Sequence, residues 1–227
     1  MAIPNRARVA LMALALGGGG LPSLAAAQAV ETADAADPTS PTANQMADWV
    51  IASGDNRGLP FMVIDKVAAA VFVFNADGQF LGATPALLGV TLGDDTAPGI
   101  GNRELVAIRP EERTTPAGRF LAKFGPAVGH RKVLWVDYGS SIALHPVVTG
   151  NKREGRLQRL RSPSATDNRI TYGCINVSAS FYEKVVSTLL RNTSGVVYIL
   201  PETKPLNEVF PRFQVQGQPN LRAKFGR

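Results

Sequence analysis

The chain has 227 residues, 24 Lys and Arg against 18 Asp and Glu, a formal charge of +6, one Cys and two His. One Cys excludes an internal disulfide, and one Cys with two His, in no His-x-x-x-His or Cys-x-x-Cys spacing, excludes a typical zinc cluster. The mild basicity suits an anionic polymer such as a cell wall, but without a recognition motif it gives no argument for nucleic acid.

Residues 1–29 read as a signal peptide. Arg6 and Arg8 supply the positive start, Val9–Leu16 and Leu21–Leu24 a short apolar stretch, and Ala25-Ala26-Ala27 or Ala27-Gln28-Ala29 the small-x-small cleavage pattern. The apolar stretch is too short and too Gly-broken for a membrane anchor, which needs about 20 apolar residues. No later segment is apolar enough to span a membrane. Cleavage would leave about 198 residues, enough for one domain. It would lower the charge from +6 to +4, since Arg6 and Arg8 are lost. The expected location is the periplasm or outside the cell.

Residues 30–41 are small, acidic and Pro-containing, a linker. Thr42–Gln45 matches a capping box with Met46, Trp49 and Val50 behind it, which predicts a helix over 43–52 before Gly54. Strand signals follow at 70–74 and 79–81, joined across Asn75–Gly78, then at 105–108, 119–124, 133–136 and 141–145. Frequent Gly and Pro between short strands predict a mostly β domain, a sandwich or barrel. Ser180–Glu183 matches a second capping box. Phe181, Val185, Val186, Leu189 and Leu190 recur at helical spacing, and Val196–Leu200 is a buried strand. The domain is expected to end at residue 201, with 202–227 a loosely packed tail.

The lone Cys174 lies in Thr171-Tyr172-Gly173-Cys174-Ile175-Asn176, downstream of His145 at a strand end. It is either an inert buried thiol or a nucleophile with a neighbouring base. His145 is the candidate base, or equally a capped strand-end imidazole. His130, in Gly129-His130-Arg131-Lys132, reads as a surface turn residue. Gly173 lacks a Cβ, which lets backbone approach a substrate, and the N–H groups of Cys174 and Gly173 are candidates for an oxyanion hole. Asp94-Asp95 suits a turn better than a cation site. No Gly-rich phosphate loop is present, and neither metal nor cofactor is expected. Arg153, Arg156, Arg159 and Arg161, between His145 and Cys174, form either a carboxylate-binding patch or a solvated basic loop. Arg169 is the nearer candidate for a substrate carboxylate.

Thr115-Pro116-Ala117-Gly118-Arg119-Phe120, then a strand-end His, then Thr-x-Gly-Cys-Ile-Asn, resembles the L,D-transpeptidase catalytic domain, the YkuD-like family. The resemblance covers roughly residues 60–201, within the expected domain at 42–201. It implies a YkuD-like β-sandwich, with a short helix before it and one helix after the Cys box. It also implies a cysteine acyl-enzyme acting on peptidoglycan stem peptides in cell-wall biogenesis. The family cleaves before a terminal D-alanine and passes the acyl group to an amine on another stem or on a wall-anchored protein. Carried over, Cys174 is the nucleophile and His145 the base, Thr171, Gly173 and Asn176 fill the remaining motif positions, and Tyr172, Thr171 and Asn176 are candidates for binding the substrate. Two departures stand out: Tyr172 occupies a position where the family usually has His, and the Arg-rich insert lengthens the His145–Cys174 spacing. Because Pro146 follows His145, a backbone carbonyl must orient the imidazole. A hydrolase on the same scaffold and a non-catalytic wall-binding module are the competing readings.

Overall fold

Helix α1 (Pro41–Ser53) opens the computed structural model, which describes residues 40–127 and 132–213. The signal-peptide reading, most of the linker and His130 lie outside the described residues. Ser40, not Thr42, caps α1. Its hydroxyl accepts from the Ala43 N–H at 2.9 Å and donates to Asp65, and Pro41 supplies the first turn, where an N–H would be unpaired anyway. The expected stripe of Met46, Trp49 and Val50 is buried.

In chain order the strands are β1 (Phe61–Asp65), β2 (Ala70–Phe74), β3 (Phe80–Pro85), β4 (Leu88–Gly89), β5 (Gly118–Pro126), β6 (Lys132–Asp137), β7 (Ile142–Pro146), β8 (Arg169–Thr171), β9 (Ile175–Val177) and β10 (Gly195–Ile199). Eight form one mixed sheet in the order β3-β2-β1-β10-β5-β6-β7-β9, and β4 pairs with β8. The β1–β10 and β7–β9 pairs in this sheet are parallel. The domain is mostly β, as expected. Strand β5 pairs with β10 over Gly118–Ala122 and with β6 over Lys123–Pro126, so it joins the two halves of the sheet.

Every residue of β1, β2 and β10 is buried. Successive side chains point to opposite faces, so both faces must be covered. On one face Met62, Ile64, Val71, Val73 and Val197 pack with Tyr182, Val186 and Leu190. On the other, Phe61, Val63, Phe72 and Tyr198 pack with α1 and with Phe210 and Phe213. Burying each such side chain contributes about 1.5–3 kcal/mol.

The post-Cys helix runs through α3 (Ala179–Phe181), a π-helical segment (Tyr182–Ser187) and α4 (Thr188–Leu190). Its cap is Ser178, whose hydroxyl accepts from the Phe181 N–H at 3.2 Å, rather than Ser180. Two further expectations are corrected. Leu105–Ala107 is a 3-10 turn with Leu105 and Val106 exposed, not a strand, because no neighbouring strand pairs with it and its apolar side chains have no face to cover. The segment 202–213 is not loose: Glu202, Thr203 and Lys204 bind Asp94, α5 (Leu206–Val209) follows, and Phe210 and Phe213 are buried. Scattered apolar residues without a period gave no sign that they cover Trp49 and Tyr198, rings far away in sequence.

Candidate active site

Strands β7 and β9 place the site. Their parallel register sets Leu144 against Ile175 and His145 against Asn176. Leu144, Ile175 and Val177 point into the core. Alternation then puts Cys174, Asn176 and His145 together on the opposite face. Leu87 braces β9 from its other side, with Leu87 N donating to Asn176 O at 2.8 Å and Asn176 N to Leu87 O at 2.9 Å.

The backbone at Gly173 and Cys174 is held by two threonines. Thr171 Oγ1 donates to Cys174 O at 2.7 Å and accepts the Gly173 N–H at 3.1 Å. Thr115 Oγ1 donates to Gly173 O at 2.9 Å and accepts the Gly89 N–H at 2.9 Å. Gly173 has φ +124°, and a Cβ there would stand 2.6 Å from Thr114 O and 2.8 Å from Ile142 Cδ1. The glycine is therefore required by its own backbone and by Thr114. The Gly173 N–H is engaged by Thr171, which removes it from the expected oxyanion hole. The Cys174 N–H takes no partner in the hydrogen bonding of the described residues.

Cys174 is half-buried and its Sγ lies 3.6 Å from Ser141 O, the acceptor for its thiol hydrogen. Burial pushes the thiol pKa up, opposed by a backbone hydrogen bond from Ala143 and by the charge of Arg156. His145 Nδ1 lies 2.9 Å from Pro146 O and its Nε2 lies 3.1 Å from Asn176 Nδ2. The orienting backbone carbonyl is thus that of Pro146 itself. Burial lowers the His145 pKa; the Pro146 carbonyl raises it and Arg156 lowers it further. Both shifts favour the uncharged forms, thiol and imidazole.

The other expected residues divide. Asn176 belongs to the site. Tyr172 stacks under Arg113, whose guanidinium carbon sits 4.0 Å from the ring centroid. Arg113 was missed because nothing local in sequence connects positions 113 and 172. Arg169 is engaged elsewhere, in a buried pair with Glu202 and a 2.7 Å bond to Lys66 O. Of the insert arginines, Arg156 reaches the site through a 3.1 Å bond to Asn176 Oδ1. Arg159 binds the carbonyls of Glu154 and Asp167, and with Arg153 and Arg161 it lines an open groove of about 700 Å³. Asp94 is the buried acceptor for Lys66, and among the described residues no acidic, His or Cys cluster could hold a metal ion. No helix of the described residues is long and apolar enough to cross a membrane.

No protein-family model and no curated protein matches the chain. Among solved structures it is similar to an L,D-transpeptidase from Mycobacterium smegmatis, at 17% identity over 62% of this chain and 58% of that one, with a TM-score of 0.37. It is also similar to the catalytic domain of the E. faecium L,D-transpeptidase, at 15% identity over 62% and 96% of the two chains, with a TM-score of 0.37. A third is a helical cell shape determining protein from Campylobacter jejuni, at 13% identity over 73% and 58%, with a TM-score of 0.41. The chain spans little more than half the length of the first and third of these structures.

Proposed function

We propose that this chain is an exported cysteine acyltransferase that acts on peptidoglycan stem peptides by L,D-transpeptidation. One observation supports the reading most: the β7–β9 register sets His145 against Asn176, two residues after Cys174, with His145 Nε2 3.1 Å from Asn176 Nδ2. The Gly-Cys-Ile-Asn box and the Thr-Pro-Ala-Gly-Arg-Phe motif support it. In the proposed reaction Cys174 Sγ attacks the carbonyl before the terminal D-alanine while His145 Nε2 takes the thiol proton. The C–N bond then breaks, that proton goes to the departing amine, and a thioester remains. An amine of a second stem, or of a wall-anchored protein, attacks the thioester and restores the thiol. The Cys174 N–H is the oxyanion donor of this scheme. Residues 1–29 direct export to the cell envelope.

Incubation with a carbapenem, followed by intact-protein mass measurement, tests the nucleophile. Wild type is expected to gain one adduct and Cys174→Ala none, and His145→Ala is expected to slow acylation by roughly 10²-fold or more. An equal adduct on Cys174→Ala overturns the assignment. Digestion of purified wall separates the products: new cross-links mark transfer, and a free third-residue carboxylate marks hydrolysis.

A further inference from the structure

Arg156, from α2 (Arg156–Leu160), donates through Nη1 to Asn176 Oδ1 at 3.1 Å, while its Nε pairs with Glu154. A guanidinium has donors only, so this contact fixes which end of the Asn176 amide faces it. The Oδ1 turns to Arg156, and Nδ2 turns to His145 Nε2 at 3.1 Å. An amide N–H donates, so Nε2 must accept. On the far side of the ring Pro146 O only accepts, so Nδ1 carries the hydrogen. The bonds thus run in one sense, from Arg156 through Asn176 and His145 to Pro146. Protonating Nε2 would need the Asn176 amide to flip, and a flipped amide would set its NH2 against the Arg156 N–H.

We propose that Arg156 is a positioning residue that, through the Asn176 amide, holds His145 as a neutral imidazole with its lone pair on Nε2. The Nε2 lone pair can take the thiol proton only once the Asn176 amide releases it, so the catalytic meaning of this arrangement rests on the function proposed above. The insert is then part of the site and not a solvated loop. Among the described residues, the charge that acts on the ring is Arg156, from the insert, which is itself paired with Glu154. Burial and the Arg156 charge push the His145 pKa in the same direction as the amide does.

The test is ring nitrogen-15 NMR in a His130→Gln background, which leaves His145 as the sole imidazole. Wild-type His145 is expected to show the Nδ1–H tautomer at neutral pH. Arg156→Ala is expected to raise its apparent pKa by about one unit. Arg156→Gln, which restores a neutral N–H donor to Asn176 Oδ1, is expected to keep the tautomer and recover part of that shift. Asn176→Ala is expected to raise the pKa too, and adding Arg156→Ala to it should then have less effect than Arg156→Ala alone. A shift of equal size with and without Asn176 assigns the effect to charge alone and overturns the proposal, as does no shift at all. Should Arg156→Ala unfold, Arg156→Gln and Asn176→Ala carry the comparison. Carbapenem acylation measured on the same samples keeps the two readings apart. A shifted titration without acylation retires the acyltransferase and leaves the positioning role, and acylation without a shift does the reverse.

Discussion

At the scale of single residues, Gly173 shows how a correct expectation can have a different cause. Its missing Cβ suggests room for a substrate, yet the space is filled by Thr114 O and Ile142. Gly173→Ala is expected to cost about 1–3 kcal/mol in denaturant unfolding and to displace Cys174, seen as slower thiol alkylation. Unchanged alkylation with unchanged stability would contradict this. Cys174, His145 and Asn176 are proposed as the site because a strand-end His and a Gly-Cys-x-Asn box carry chemistry in their local order, and β7 and β9 set His145 against Asn176. Arg169 misled because closeness in sequence says nothing of direction. It leaves β8 toward Glu202 and the buried Lys66. The Thr115–Phe120 motif, legible as a signature, does structural work here. Thr115 ties Gly89 to Gly173, and Arg119 reaches Asp55 Oδ2 at 2.6 Å.

At the scale of elements, both helix starts were found and both caps misplaced by two residues. Thr42–Gln45 and Ser180–Glu183 satisfy the capping-box pattern, but Ser40 and Ser178 lie just upstream and win. Ser40 also gains Asp65, a partner invisible in local sequence. Ser178→Ala is expected to lower stability by about 1 kcal/mol and Ser180→Ala by only a few tenths. Ser40→Ala is expected to cost more than Thr42→Ala. Thermal melts of the four variants check the order, and equal losses within either pair would restore the sequence-based caps. The strands β2, β3, β5, β6, β7 and β10 were legible from alternation or apolar runs, whereas β1, a buried run at Phe61–Asp65, and the short β4, β8 and β9 were not expected. The 3-10 turn at Leu105–Ala107 was not, because three apolar residues in a row suit a buried strand as well as an exposed turn.

Across the whole molecule, the Lys66 ammonium lies fully buried at the junction of three segments. It donates to Gly93 O at 2.5 Å, Asp94 Oδ1 at 2.7 Å and Thr115 O at 2.8 Å. Burial would raise the Asp94 pKa, but Lys66, the Thr203 hydroxyl and the backbone N–H groups of Glu202 and Thr203 hold it well below the ordinary carboxylate range. Removing one member of such a pair strands a charge, so Asp94→Asn is expected to cost about 3–5 kcal/mol. The pH dependence follows from the signs. A depressed Asp94 stabilises the fold above the unfolded-state pKa, near 3.9, and that contribution is lost as pH falls further. A lowered His145 acts the same way below about pH 6.5, because the unfolded imidazole takes a proton that the folded one resists. Stability should therefore decline in two stages on acidification, with His145→Ala removing the upper stage. A single acid transition unaltered in that variant would refute the assignment. The pairing of β1 with β10 sets Phe61–Ile64 beside Val196–Ile199, and Thr203 and Lys204 close the Asp94 cluster. The middle of the sheet thus waits for residues 135 positions further along the chain (Phe61 to Val196), and contacts so distant form slowly. During translation, β1 has no β10 to pair with and Asp94 no backbone donors to receive. A nascent chain of this topology is expected to leave the middle of its sheet unformed until β10 has been made, which protease sensitivity of chains stopped before residue 195 would show.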